Sequence, residues 1–198
     1  GSNSTSTKDY STFLNNGVVN GPIHNSTVGY FGTGAYEFDG VDDYIGVSNE
    51  NDLNVGTKDL TVSAWIKPKE TEVQRIVNKF TPVNGGYSLY THSDGSIKFV
   101  VDDGPDSGLV SSATSFYSAN NWYHIVGVWD NVNNELILYV DGVEVDKTTG
   151  VTAVSNITTT DEFSIGSYEK ASQFFNGTID EILIYDRALS PEQVDLLY

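Results

Sequence analysis

The chain predicts an all-β fold, a two-sheet antiparallel β-sandwich with one short C-terminal helix. Three observations point there. Apolar residues recur with period two from Ala35 onward, the runs are short and end at Gly, Asp, Asn or Pro, and no helix start is signalled before Ser190. At 198 residues the chain fits one domain spanning 1–198. Roughly 70% of the unfolded surface can then be buried, so a core needs no disulfide or metal. Residues 1–9 read as a tag remnant, Gly1 and Ser2, and a flexible arm.

The elements follow in order. The first thirty residues, rich in Ser, Thr, Asn and Gly, read as a leading arm with one short strand. Residues 60–66 place Leu60, Val62, Ala64 and Ile66 on one face and Thr61, Ser63 and Trp65 on the other, as an internal strand does. Residues 87–91 and 97–101 form a hairpin across Ser93, Asp94 and Gly95, where glycine takes the positive φ of the turn. Residues 122–129 are apolar on both faces, which predicts a central strand covered by a sheet on one side and loops on the other. Residues 135–140 and 143–145 flank Asp141-Gly142, a strong two-residue turn signal. Residues 178–185 read as the last strand. Ser190, Pro191 and Gln193 then supply the cap, first-turn proline and capping-box partner of a short helix. Its Val194, Leu196 and Leu197 are expected to dock back on the sandwich.

Composition excludes several functions. Twenty-seven acidic residues against 10 basic ones give a formal charge of −17, a field that repels phosphate backbones, so nucleic acid is not an expected partner. Cysteine is absent, and His24, His92 and His124 lack the helical two-histidine spacing of zinc hydrolases. No apolar run approaches the roughly 20 residues of a membrane span, so membrane insertion of this segment is not expected. Sequons at Asn3, Asn25, Asn156 and Asn176 suit a secreted domain, but chance in an Asn-, Ser- and Thr-rich chain accounts for them.

Five phrases carry a family resemblance: AYEFDGVDDYI at 35–45, LTVSAWIKP at 60–68, NWYHI at 121–125, LYVDG at 138–142 and GTIDEILIYDRAL at 177–189. In that order, over residues 10–198, the chain resembles the laminin-G-like, concanavalin-A-like jelly rolls of microbial surface and polysaccharide-processing proteins. The resemblance implies two stacked sheets, one concave, with ligands met on the concave face or at rim loops. The expected function is a non-catalytic extracellular carbohydrate-binding or adhesion module, at the cell surface or secreted, within a larger microbial multidomain chain. Its expected partner is a polysaccharide, another glycan or a cell-surface protein. A structural or protein-interaction domain is the alternative, and a glycoside hydrolase a weaker one.

The side-chain chemistry narrows this. Sandwich-fold glucanases, which the fold resembles, carry a strand with Glu-x-Asp-x-(x)-Glu. The nearest match, Glu37-Phe38-Asp39, is followed by Gly40, which turns the chain so that Asp42 leaves the row, and no enzyme is expected. His124 lacks a serine or acid partner nearby in sequence and is expected to pack, as are Trp65, Trp122 and Trp129 in the sandwich core. Sugar binding needs exposed rings beside polar groups. Tyr90 and His92 project opposite Leu89, Tyr117, Tyr168, Phe174 and Phe175 lie in turn-rich segments, and Arg75 and Lys79 supply donors. The turn Asp39, Asp42, Asp43 is read either as a structural calcium site, joined by Asp180 from the last strand, or as an Asp-rich turn capping its own amides.

Overall fold

The computed structural model describes residues 3–47, 50–104, 107–152, 154 and 156–198, so Gly1 and Ser2, read as a tag remnant, lie outside the described residues. The strands are Ser6–Thr7 (β1), Gly17–Asn20 (β2), Ile23–Asn25 (β3), Ala35–Asp39 (β4), Tyr44–Val47 (β5), Leu60–Pro68 (β6), Gln74–Thr81 (β7) and Gly85–Thr91 (β8). They continue with Ile97–Asp102 (β9), Ser107–Ser111 (β10), Tyr123–Asp130 (β11), Glu135–Val140 (β12), Val143–Thr149 (β13), Phe163–Ile165 (β14) and Asn176–Tyr185 (β15). A 3-10 turn at Glu50–Leu53 and the helix Pro191–Asp195 (α1) complete the set.

Two antiparallel sheets result, in the order β1-β2-β5-β14-β7-β8-β9-β10 and β13-β12-β11-β6-β15-β4-β3. The first is called the eight-stranded sheet and the second the seven-stranded sheet. Leu60, Val62, Ala64 and Ile66 face Tyr87, Leu89, Phe99 and their neighbours in one apolar core between the sheets. Both predicted hairpins are present in the expected registers, Tyr139 against Glu144 and Leu89 against Phe99. At the first turn Asp141 and Gly142 have φ of 51° and 78°, the left-handed pair that a two-residue hairpin turn of this twist requires.

The predicted helix has its full capping box, with Ser190 Oγ accepting from Gln193 N and Gln193 Oε1 accepting from Ser190 N. Its Val194 packs with Leu189, Val126, Val128 and Tyr139 on the outer face of the seven-stranded sheet. Strand β11 is therefore apolar on both faces because it is covered on both. Leu196, expected to dock, is instead exposed.

Two expectations need correction. The leading segment holds three short strands rather than one, because β1 pairs with β2, β2 with β5 and β3 with β4, and strands of two to four residues are too short for period two to show. Only Trp129 lies in the inter-sheet core. Trp65 is buried on the outer face, its ring stacked with those of Tyr30 at 3.4 Å and Tyr198 at 5.6 Å, and half-buried Trp122 meets Tyr30 edge-on at 6.1 Å between centroids. The reason is parity: with Leu60, Val62, Ala64 and Ile66 inward, residue 65 must point out.

Candidate functional site

The outer face of the eight-stranded sheet gathers most of the expected ligand residues. Inward-pointing Ile45, Leu89 and Phe99 force their alternates outward, and a bulge in β7 between Arg75 and Val77 turns Arg75 to the same face, opposite Tyr90. One cross-strand row runs Asn20, Tyr44 on β2 and β5, then Arg75, Tyr90 and Lys98 on β7, β8 and β9. Strand β14 lies between β5 and β7, so Tyr44 and Arg75 stand two strand spacings apart, about 10 Å.

The segment 166–175 lies across the middle of this row. Arg75 fastens it: its amide donates to Gln173 O at 3.0 Å and its Nε to Gln173 Oε1 at 2.8 Å. Ser164 Oγ donates to Ser167 O at 2.9 Å, and Phe175 N to Gly166 O at 2.8 Å. Lys170, ion-paired with Glu162, rests over Gly46, where an added Cβ would sit 2.9 Å from Lys170 Cε. Glu169, Lys170 and Gln173 have φ of 50°, 59° and 48°. Left-handed backbone at three non-glycine residues persists only where the surroundings over-determine it, and these anchors do so.

The guanidinium of Arg75 lies 4.2 Å from the Tyr90 ring centroid and 5.1 Å from that of Tyr168. Nη1 donates to Ser88 Oγ at 3.1 Å. Burial pulls the Arg75 pKa below the usual guanidinium value, against the partial offset of the two tyrosines, but arginine stays charged at any working pH. Beyond Tyr90, half-buried His92 holds Nδ1 3.0 Å from Asp94 Oδ1. The Ser96 hydroxyl and amide, with His92, hold the Asp94 carboxyl at about 2.

On the other side of segment 166–175 an open cleft of about 410 Å³ is lined by Asn20, Gly21, Asp42, Tyr44, Lys170 and Phe174. It offers two partly exposed rings, an amide, a carboxylate and an ammonium. Lys170 also borders a second cleft of about 250 Å³ with Thr160, Asp161, Glu162 and Glu169.

Arg75, Tyr90 and Tyr168 are thus in contact, with His92 and Phe174 flanking them on the same face. Lys79 and Tyr117 are not available to a ligand. Lys79 is 1% exposed because it pairs with core-facing Tyr87, and its Nζ donates to Asp161 O at 2.7 Å. Tyr117 is 3% exposed and packs into the inter-sheet core, as does fully buried Phe175, also expected at the rim. None of these burials was readable from a turn-rich or polar neighbourhood. Sequence reasoning missed Asn20, Tyr44 and Lys170. Tyr44 was within reach, since it alternates with inward Ile45, whereas nothing local marks Lys170.

Asp39, Asp42 and Asp43 bring carboxylate oxygens within 4.8 Å of one another. Asp39 Oδ1 accepts from Val41 N at 2.8 Å and Asp43 Oδ2 from Asp39 N at 2.9 Å, so the turn also caps its own amides. Burial, with repulsion from Asp39 and Asp42, pushes the Asp43 pKa up despite the bond from Asp39. Asp180 does not join them. Asn176 is the residue opposite Asp39, and Asp180 lies four residues further along β15, about 13 Å away at the rise of a strand. Its Oδ2 accepts from Tyr30 N at 3.0 Å and pins that loop over Trp65.

A family model described as the concanavalin A-like lectin/glucanases superfamily matches residues 39–195. No curated protein matches the chain. Among solved structures, the binding domain of Paraclostridial Mosquitocidal Protein 1 superposes with a TM-score of 0.78 at 20% identity, covering 96% of this chain and 48% of that one. The binding domain of botulinum neurotoxin serotype G gives 0.75 at 13% identity, covering 96% and 47%. The ligand-binding domain of botulinum neurotoxin serotype D, in complex with N-acetylneuraminic acid, gives 0.72 at 17%, covering 98% and 49%. The chain spans about half the length of each, and at these identities the likeness is one of fold.

Proposed function

We propose, from the premise that this chain belongs to the concanavalin A-like lectin/glucanases superfamily, that it is a non-catalytic carbohydrate-binding module of an extracellular or cell-surface protein. The observation that carries the reading is the open cleft beside segment 166–175. Tyr44 and Phe174 offer rings to the C–H faces of a sugar, and Asn20, Asp42 and Lys170 offer acceptors and donors to its hydroxyls. That neighbours of the same fold are toxin binding domains, one of them in complex with N-acetylneuraminic acid, supports it. Against catalysis, β4 ends at Asp39, Gly40 takes φ of 81°, and Glu37 is engaged by the Asn25 side-chain amide at 3.2 Å. The strand row of carboxylates is broken where the sequence predicts.

The test is a glycan array with wild type, Tyr44→Ala and Phe174→Ala. Wild type should bind a defined set of glycans, and each variant should weaken that binding about tenfold, the worth of one stacked ring of about 1.4 kcal/mol. No wild-type binding above background, with or without calcium, would leave the protein-interaction alternative in its place.

Calcium is proposed as a structural ion for the turn of Asp39, Asp42 and Asp43, without Asp180, since three hard oxygen donors suit it. At free calcium about ten times the dissociation constant the gain is about 1.4 kcal/mol, or a rise in melting temperature of about 3 to 6 °C. Asp42→Asn should remove most of that rise. Equal melting temperatures in chelator and millimolar calcium would remove the ion from the description.

A further inference from the structure

Arg75 is the most buried cation on the face that carries the cleft, with 8% of its surface exposed, and it has no ion pair among the described residues. The shortage is not one of acids, which outnumber bases 27 to 10. Lys58, Lys147 and Lys170 each have a carboxylate partner, in Asp186, Glu135 and Glu162. A charge drawn this far from water is costly unless paired, and holding segment 166–175 through Gln173 would need only a neutral donor. Nε and Nη1 are used on Gln173 and Ser88, while Nη2 donates to no group among the described residues. Next along the row, after Tyr90, comes half-buried Lys98, also without an ion pair among the described residues. Three of the chain's ten cations, Arg75, Lys98 and Lys170, therefore stand on one face of a strongly acidic protein.

We infer that Arg75 is an anion subsite of this face and takes the carboxylate of an acidic sugar residue, a uronic or sialic acid, in a glycan lying along the row. The inference rests on the carbohydrate reading above and names its ligand class. A guanidinium between tyrosine rings presents paired N–H donors to a planar carboxylate, while Tyr90 and Tyr168 offer their rings to the attached sugar. The net field of the protein repels polyanions, so preference for an acidic glycan must come from a local cation rather than from long-range attraction.

The experiment compares affinities for pairs that differ only in the ionised carboxylate: oligogalacturonate against its methyl ester, and sialyllactose against its methyl ester. The two pairs separate the uronic from the sialic source. Wild type should prefer the acidic member of at least one pair by about tenfold or more, the size of one charge-assisted hydrogen bond. Arg75→Gln should bring that ratio close to one. Lys98→Gln, on a less buried residue, should lower it about two- to threefold, and salt should erode it in wild type. If wild type binds both members of each pair equally, the subsite is overturned while the carbohydrate reading stands. Binding to neither member, together with a blank array, removes both. Should Arg75→Gln fail to fold, Lys98→Gln and the salt series decide, and a preference moved by neither overturns the assignment.

Discussion

Gly166→Val is expected to destabilise the protein by about 2 to 5 kcal/mol and to abolish the proposed glycan binding in the same step. Gly166 follows β14 with φ of 81°, a conformation that costs a residue with a side chain about 1 to 2 kcal/mol. Its Cβ would stand 2.6 Å from Phe38 Cδ1. Phe38 is fully buried and meets Phe175 edge-on, 6.2 Å between centroids, so the ring has nowhere to retreat, and overpacking adds about 1 to 3 kcal/mol. The functional consequence follows from position: segment 166–175 starts here, and its hydrogen bond from Phe175 N to Gly166 O closes it. Displacing that root moves Lys170 and Phe174 away from the cleft. Denaturant midpoints measure the first effect and the glycan array the second. Gly166→Ala combined with Phe38→Leu should recover the steric part and not the backbone part. A Gly166→Val protein melting within a degree of wild type, with its binding intact, would show that the segment is not set by this contact.

The second large effect is on pH. His124 is 1% exposed, its ring lies 5.0 Å from Trp65, Nε2 sits 2.9 Å from Ser63 Oγ, and Nδ1 has no hydrogen-bond partner. Burial drives its pKa down to about 4 from 6.5. The folded protein keeps the ring neutral, whereas the unfolded chain takes up a proton near pH 6.5. Stability from this group is therefore complete above pH 6.5 and falls as the pH drops toward 4, by about 2 to 3 kcal/mol between pH 7 and 4.5. Burial raises the carboxyls of Asp43, Asp180 and Glu181, and these act in the opposite sense, holding stability as the pH falls. The difference between wild type and His124→Gln isolates the histidine. His124→Gln should be less stable than wild type at pH 7 and should lose less on acidification. Parallel stability curves from pH 7 to 4.5 would mean that His124 titrates normally.

Legibility in the sequence followed the range of the interactions. Period two, the Asp-Gly turn and the Ser190 capping box are local, so the central strands, both hairpins and the terminal helix were readable with near-correct bounds. Gly40 likewise announced that the carboxylate row ends at Asp39. The bulge in β7 that turns Arg75 away from the face of Val77 and Lys79 had no signal in the sequence. Strand parity told which residues share a face, and so placed Tyr90 and His92 as candidates. It did not tell which face would be sealed. Lys79 looked like a solvated strand residue until its pairing with Tyr87 turned it inward, and Tyr117 looked like a rim until the two sheets closed over it.

What the sequence determined by itself was the all-β sandwich, its family phrases and its acidity, because alternation, turn chemistry and charge each act within a few residues. The tertiary structure alone decided the site. Tyr44, Arg75 and Lys170 come from three separate segments brought together by non-consecutive strand pairing, β5 with β14 and β14 with β7. It also parted Asp180 from Asp39, since the register of β15 on β4 sets that separation and no property of either residue encodes it.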